Sequence, residues 1–416
     1  MNTIYSPGEY FHRWLTPLLQ SAAHDQPVVV LTGARQVGKS TTVRNEEPFC
    51  DWPYRTLDDL DLLGRARTRP EDLWAGTDRV VIDEVQRAPE LLLAVKRAVD
   101  ENPGRRFVLT GSANLLMMSR VAESLAGRAV YVEMLPMSLG ESLHRPPPSV
   151  LEDALAGVLP NEGKLPNGPR DPWPLILRGF LPPLLRLDSS VAAVRWWEGY
   201  VATYLERDLR QLSQIESLPD FRHLMQALAL RSGQLLNLSE TARDVGLSQP
   251  TAHRYTRLLE VSGLFHAVPA FARNRTKRLM KSPKALWTDP GLACFLAGIH
   301  DAATLMESRE AGRLFETLVW LHLGILAQRM TPRPTLHHWR TATGVEVDFV
   351  VEHGRRLLPI EVKSTTRPGY DDAKGVEAFL AEYPEAKVGL VIHAGDEVRR
   401  LGERVAAVPW WVLAGG

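Results

Sequence analysis

The segment Gly33-Ala34-Arg35-Gln36-Val37-Gly38-Lys39-Ser40-Thr41 spaces two glycines, a lysine and two hydroxyls as GxxxxGK[ST] requires. Glycines at these positions let backbone N–H groups wrap a β-phosphate, and a helix starting at the lysine adds its N-terminal partial positive charge. Lys39 is expected to reach the β- and γ-phosphates, with the Ser40 hydroxyl on Mg²⁺. Asp83-Glu84 closes the apolar run that begins at Arg79. Asp83 suits the metal shell and Glu84 suits polarising the attacking water, so the two motifs together predict ATP and Mg²⁺ as cofactors. Further on, RRFVLTGSAN offers Thr110, Ser112 and Asn114. Ser112 is expected to contact the γ-phosphate or orient water. Arg128 is either an arginine finger or a surface or capping arginine.

A second constellation lies near the C-terminus. Asp348, Glu361 and Lys363 reproduce the Asp-x12-Glu-x-Lys spacing in which two carboxylates hold Mg²⁺ and a lysine serves the attacking water beside a phosphodiester. Alternation predicts Val345, Val347, Phe349 and Val351 on one strand face and Glu346 and Asp348 on the other. Asp348 then lies directly across from Glu361 or diagonal to it. Glu316, set among Leu314, Phe315, Leu318 and Val319, is an acid where packing alone prefers an apolar residue, and it is the expected third carboxylate. The reading is open between a live nuclease-like site and a solvated hairpin with a structural ion pair.

A third signal is a helix-turn-helix pattern over 239–263. Ser239 and Ser248 are the expected caps, Gly246-Leu247 the turn, and Pro250 sits in the first turn of the second helix. Ala252, Tyr255, Leu258, Leu259 and Ser262 share the buried face and Gly263 stops the helix. Thr251, His253, Arg254 and Arg257 are left facing outward, where a recognition helix meets DNA. From Val261 to Thr288 there is no acidic residue, while Arg273, Arg275, Lys277, Arg278, Lys281 and Lys284 are present. Such a basic strand-turn reads as a wing along a nucleic-acid backbone or as a protein contact.

The elements that must position these groups follow from pattern. Apolar runs at 27–33, 53–58, 79–85 and 105–112, with a helix over Leu91–Val99, predict a parallel α/β sheet for a P-loop ATPase domain at 1–143. A Pro-rich linker or insertion, through which no regular element is expected to run, covers 144–174. A helical stretch at 175–236, which the resemblance given below makes a helical lid, a winged helix at 237–300 and an α/β restriction-endonuclease-like domain at 301–416 complete the expected order. Net charge is zero, so whole-chain charge names no partner, although lysines number only nine against about four times as many arginines. Two cysteines exclude a disulfide framework and a cysteine-based metal site. The opening residues show no basic stretch followed by an apolar core, and no run is long enough to span a membrane, which predicts a cytoplasmic protein without membrane partners.

LTGARQVGKST, YRTLDD, VVIDEVQRAPELL, LTGSAN, SLAGR, TYLERDL, GRLFETLV and GVEVDFV with LPIEVKST together resemble bacterial and archaeal AAA+-type ATPases fused to a C-terminal domain of unknown function with a PD-(D/E)xK-like core. The resemblance covers nearly the whole chain. It implies an ATPase core, a lid, a winged helix, a nuclease-like module and a homo-oligomer, as a ring in which one subunit's arginine completes its neighbour's site. Two departures stand out: the Pro-rich expansion, and Arg178-Gly-Phe-Leu-Pro182 where the family more often has two glycines. The function expected is an ATP-hydrolysing, DNA-associated motor or switch acting on branched DNA in repair or recombination. The alternative is a regulatory ATPase that acts on a protein partner through a catalytically dead docking domain.

Overall fold

The computed structural model describes residues 10–111, 125–165, 171–203 and 215–415. Ser112 and Asn114, and the side chains of Arg275 and Lys277, lie outside the described residues.

The first domain is built on a five-stranded parallel sheet. Its elements are α1 (Thr16–Asp25), β1 (Val28–Thr32), α2 (Lys39–Asn45), β2 (Tyr54–Thr56), α3 (Leu60–Thr68), β3 (Arg79–Asp83), α4 (Leu91–Glu101), β4 (Arg106–Thr110), β5 (Ala129–Glu133) and α5 (Leu139–Ser142). Strand order is β2-β3-β4-β1-β5, so β1 sits between two strands that come later in the chain. Val28, Val30, Ile82, Phe107 and Leu109 pack on one face, and Val29, Leu31, Val81 and Val108 on the other. This two-sided burial explains the continuous apolar runs. The carboxyl ends of β1 and β3, where ligands bind in open α/β sheets, carry the glycine loop and Asp83.

Segment 144–174 departs from the expectation. Its prolines cluster at Pro146–Pro148 and from Pro160 onward, and between them runs a helix, α6 (Val150–Ala156). A short strand β6 (Gly163–Lys164) follows and pairs with a strand of the last domain, extending that domain's sheet.

The stretch expected to form a lid holds α7 (Trp173–Arg178), α8 (Ser190–Tyr200) and α9 (Leu218–Ala229). Next come α10 (Leu238–Asp244), α11 (Gln249–Val261), β7 (Phe265–Val268), α12 (Arg275–Met280), β8 (Lys284–Trp287), α13 (Pro290–Leu296) and α14 (Ala302–Glu307). The cap of α10 is Asn237, whose Oδ1 accepts from Glu240 N, and not Ser239. Ser248 caps α11 as expected, and Ala252, Tyr255, Leu258, Leu259 and Ser262 are buried. The basic segment forms a helix, α12, between the antiparallel strands β7 and β8.

The last domain packs α15 (Ala311–Gln328) and α16 (Lys374–Glu382) with strands β9 (Thr335–Arg340), β10 (Glu346–His353), β11 (Arg356–Lys363), β12 (Gly389–His393), β13 (Glu397–Arg400) and β14 (Val405–Pro409). The sheet order is β6-β13-β14-β12-β11-β10-β9. Pairing of β10 with β9 shifts by one residue between Val347 and Val350. This bulge overturns the expected alternation: Val347 packs with Val350, Phe349 and Val351 pack on the other side, and Val345 is exposed. Among the described residues no helix is long and apolar enough to cross a membrane.

Candidate nucleotide site and C-terminal acidic site

The loop leaving β1 needs its glycines. Gly33 has φ +144°, and a Cβ there would lie 2.3 Å from Met134 O; Gly38 has φ +101°. Lys39 opens α2 and is buried, with Nζ donating to Gly33 O at 3.0 Å and Ala34 O at 2.9 Å. Burial lowers its ammonium to about 8, against the opposing pull of Glu84 and Asp83. The first turn of α2 has neither a side-chain cap nor an acidic residue. A cationic ammonium, an uncapped helix start and a buried carboxylate are the donor set that an Mg²⁺-bound triphosphate needs, so ATP fits here. Arg35, Gln36 and Val37 form the turn of the loop, with Gln36 in the left-handed region, while Ser40 and Thr41 follow on α2.

Asp83 ends β3 and is held from both sides, accepting hydrogen bonds from the Tyr54 and Thr110 hydroxyls. Tyr54 also meets the Ser40 side chain, which joins the two residues expected on the metal. Glu84 takes a left-handed backbone at φ 58° and accepts from Gln86 Nε2. Burial, then the Asp83 charge, raises its carboxyl above the usual range. A carboxyl with raised affinity for protons, next to the buried Asp83, is chemically suited to accept a proton.

Arg128 precedes β5, and Val28 pairs with Ala129 at the opposite end of the sheet from the loop, about 15 Å away at strand spacing. Its guanidinium is bidentate to Asp100, at 2.5 Å and 3.1 Å. Its placement puts it away from the chain's own phosphate loop, so the arginine-finger reading is corrected for this chain's own site.

Residues without a motif complete the site. Arg13, only 5% exposed, donates to Val37 O (2.8 Å), Leu135 O (2.8 Å) and Pro136 O (3.2 Å), and to Glu141 Oε1 (3.1 Å). Glu141 also takes Trp14 N and Ser138 N, both at 2.7 Å. Beside the loop, Phe11, Thr41, Met137, Pro182, Pro183 and Arg186 line a cleft of 340 Å³. Pro182 belongs to the departing Arg178–Pro182 motif. Its Gly179 has φ +87°, and a Cβ there would meet Asp289 Oδ1 at 2.5 Å, so one glycine is required.

The helix-turn-helix unit reaches the loop directly. Gly263, where α11 ends, has φ +69°, and a Cβ on it would lie 3.1 Å from Ala34 N. Tyr200 at the end of α8 donates to Arg35 O at 3.3 Å. From the other side, His322 of α15 accepts from Leu139 N at 3.1 Å and donates from Nδ1 to Leu318 O. Burial pushes this imidazole down to about 4, keeping it neutral.

In the last domain, β10 and β11 pair as far as Phe349 opposite Ile360, which sets Asp348 level with Glu361. There the Asp348 carboxylate accepts from Val362 N at 2.9 Å. Glu361 is buried and takes Lys363 Nζ at 2.7 Å; burial, then Asp348, pushes its carboxyl up to about 7. Glu316 comes alongside from α15. The four expected residues thus meet, with one addition that sequence reasoning had assigned elsewhere. Lys284 Nζ lies between Glu316 Oε1 (2.5 Å) and Asp348 Oδ1 (3.0 Å). Burial alone would lower its ammonium, but the two carboxylates outweigh it and raise it. No group of three or more His, Cys, Asp or Glu side chains suited to a metal ion occurs among the described residues. With an ammonium between its acids, this arrangement does not fit Mg²⁺.

The other expected DNA contacts are also engaged. Arg278 is bidentate to Glu352 (2.6 Å and 3.2 Å), Arg273 pairs with Glu385 (3.2 Å), and Lys281 donates to Arg340 O (3.1 Å). The free basic wing is corrected to a face turned onto the last domain. The acidic partners of Arg278 and Arg273 lie 74 and 112 residues onward, out of reach of any local pattern. On α11, His253, Arg254 and Arg257 are exposed and Thr251 is half-buried; Arg254 pairs with Glu216 (3.1 Å) and Arg257 with Glu260 (3.3 Å).

An AAA domain family matches residues 25–143. Proteins of Mycobacterium tuberculosis strain H37Rv (Uncharacterized protein Rv2008c) and Mycobacterium bovis (Uncharacterized protein Mb2031c) are each 31% identical over 395 residues, covering 94% of this chain and 82% of theirs. The chain belongs to this family of P-loop AAA-type ATPases. Residues 170–303 and 311–413 match two families described as domains of unknown function, DUF8612 and DUF4143. Among solved structures, the Walker-type ATPase PABY2304 of Pyrococcus abyssi is similar over 71% of this chain and 99% of its own, at 16% identity and TM-score 0.47. A Signal Transduction ATPase with Numerous Domains protein, PH0952 of Pyrococcus horikoshii, is similar over 76% of this chain and 46% of its own, at 11% identity and TM-score 0.22.

Proposed function

We propose that this AAA-type ATPase is a nucleotide-gated switch, in which ATP at Gly33–Thr41 controls how the helix-turn-helix unit sits on the rest of the chain. The observation that carries this reading is the approach of Gly263 to Ala34 N, supported by Tyr200 on Arg35 O. Phosphates wrapped by the loop's N–H groups compete for the backbone on which the unit rests, giving nucleotide a different affinity for the two arrangements. Ser40 and Asp83 would hold Mg²⁺, which when bound would supply charge neutralisation at the transferring phosphate. Lys39 neutralises the β- and γ-oxygens, and Glu84 draws the proton from the attacking water. Tyr54 and Thr110 fix the Asp83 carboxylate, and the cleft at Phe11, Pro182 and Pro183 takes the base.

A DNA-associated motor is the second reading, favoured by the exposed His253, Arg254 and Arg257 on α11. The pairing of Arg273, Arg278, Lys281 and Lys284 within the chain supports the switch instead. ATP hydrolysis with Mg²⁺, measured with and without single-stranded, duplex and four-way-junction DNA, separates the two. The switch is expected to hydrolyse at an unchanged rate. Acceleration by DNA that is lost steeply with salt, at a log–log slope of about −0.9 per phosphate contacted, would favour the motor.

A further inference from the structure

We infer that Lys284 is a built-in cation that holds the nuclease-like acidic site shut, and that its withdrawal opens the site to a divalent metal. The withdrawal half rests on the switch reading above; the plug itself does not.

Lys284, 8% exposed, begins β8 of the helix-turn-helix unit and crosses to α15 and β10, with its ammonium between two carboxylates. Two close acids with a cation between them are stable; the same acids without one repel. An ammonium meets that need with a point charge and three donors, of which Glu316 and Asp348 take two. A divalent ion cannot share the position with it. Glu361 provides the second observation. One of its oxygens takes Lys363, while Oε2 is buried without a hydrogen-bond partner among the described residues. An acceptor left unsatisfied beside the cluster is costly, and it is the oxygen that a metal would use. The cluster therefore holds more carboxylate capacity than Lys284 alone satisfies.

The plug is also a tether. Arg278 to Glu352 and Lys281 to Arg340 O hold the adjoining turns against the same domain, so Lys284 leaves only if this face lifts. The cleft of 430 Å³ formed by Gln234, Arg313, His338 and Arg340 above the cluster is the room into which the site would open.

The test is Mn²⁺ binding to the full chain, followed by electron paramagnetic resonance of the free ion without nucleotide. The wild type is expected to show no Mn²⁺ binding that Asp348→Asn removes. Lys284→Met is expected to gain one Mn²⁺ per chain, lost again when combined with Asp348→Asn, and Mn²⁺ is expected to raise its melting temperature. Lys284→Gln serves the same purpose if the methionine variant does not fold; if neither folds, wild type against Asp348→Asn decides. Asp348-dependent Mn²⁺ binding by the nucleotide-free wild type overturns the plug. So does a folded Lys284 variant that gains no Mn²⁺. A further arm adds ATP to Glu84→Gln and again takes the difference made by Asp348→Asn. A gain there supports withdrawal on opening. No gain, with the Lys284 variants behaving as expected, overturns withdrawal on ATP binding and leaves the plug standing.

Discussion

Glu84→Gln is expected to bind ATP as tightly as the wild type and to hydrolyse it at least about a hundredfold more slowly, the loss typical of removing a general base. The amide keeps the size of the side chain and leaves Asp83 on its two hydroxyl donors, so the metal shell survives. What is lost is the carboxylate that takes the proton from water. Lys39→Ala should behave differently and lose binding itself, because it removes the buried charge that Gly33 O and Ala34 O now orient. Steady-state ATPase rates paired with equilibrium binding of a fluorescent ATP analogue distinguish the two. Wild-type turnover in Glu84→Gln would mean that Asp83-Glu84 is not the hydrolytic pair.

Arg13→Ala is expected to lower the unfolding free energy by about 3–5 kcal/mol, the cost of removing one member of a buried ion pair. The loss is large because Glu141 would remain buried, and three carbonyls would lose their donor together. One of these is Val37 O in the phosphate loop, so nucleotide affinity should fall as well. Chemical denaturation with and without ATP measures both effects. A variant within 1 kcal/mol of wild type would place Arg13 among solvated surface pairs and remove it from the nucleotide site.

The phosphate loop was legible because its chemistry is local: nine consecutive residues carry the turn, the charge and the metal hydroxyl. Asp83-Glu84 was legible for the same reason, being the end of one apolar strand. Arg13 was not, since its partners at Val37, Leu135 and Glu141 meet only after the sheet assembles. The spacing of Asp348, Glu361 and Lys363 did bring those residues together with Glu316. The bulge at Val347–Val350 could not be seen, because the apolar pattern of Val345, Val347, Phe349 and Val351 is the same with or without it, and only the pairing with β9 shows where the facing switches. Lys284 shows the limit most sharply. In sequence it belongs to a basic run, and in space it is the counter-charge of two acids 32 and 64 residues away.

The distance between the helix-turn-helix unit and the last domain tests the switch most directly. Labels at Met280→Cys and Tyr370→Cys, both on well-exposed positions (83% and 74%), can be placed in a Cys50→Ser background, since Cys294 is buried. Pulsed electron resonance then reads the separation in Glu84→Gln without nucleotide, with ADP and with ATP. A separation that lengthens with ATP and returns with ADP is the expected result. One unchanged distance distribution in all three states, with ATP binding verified in the same sample, would contradict nucleotide gating.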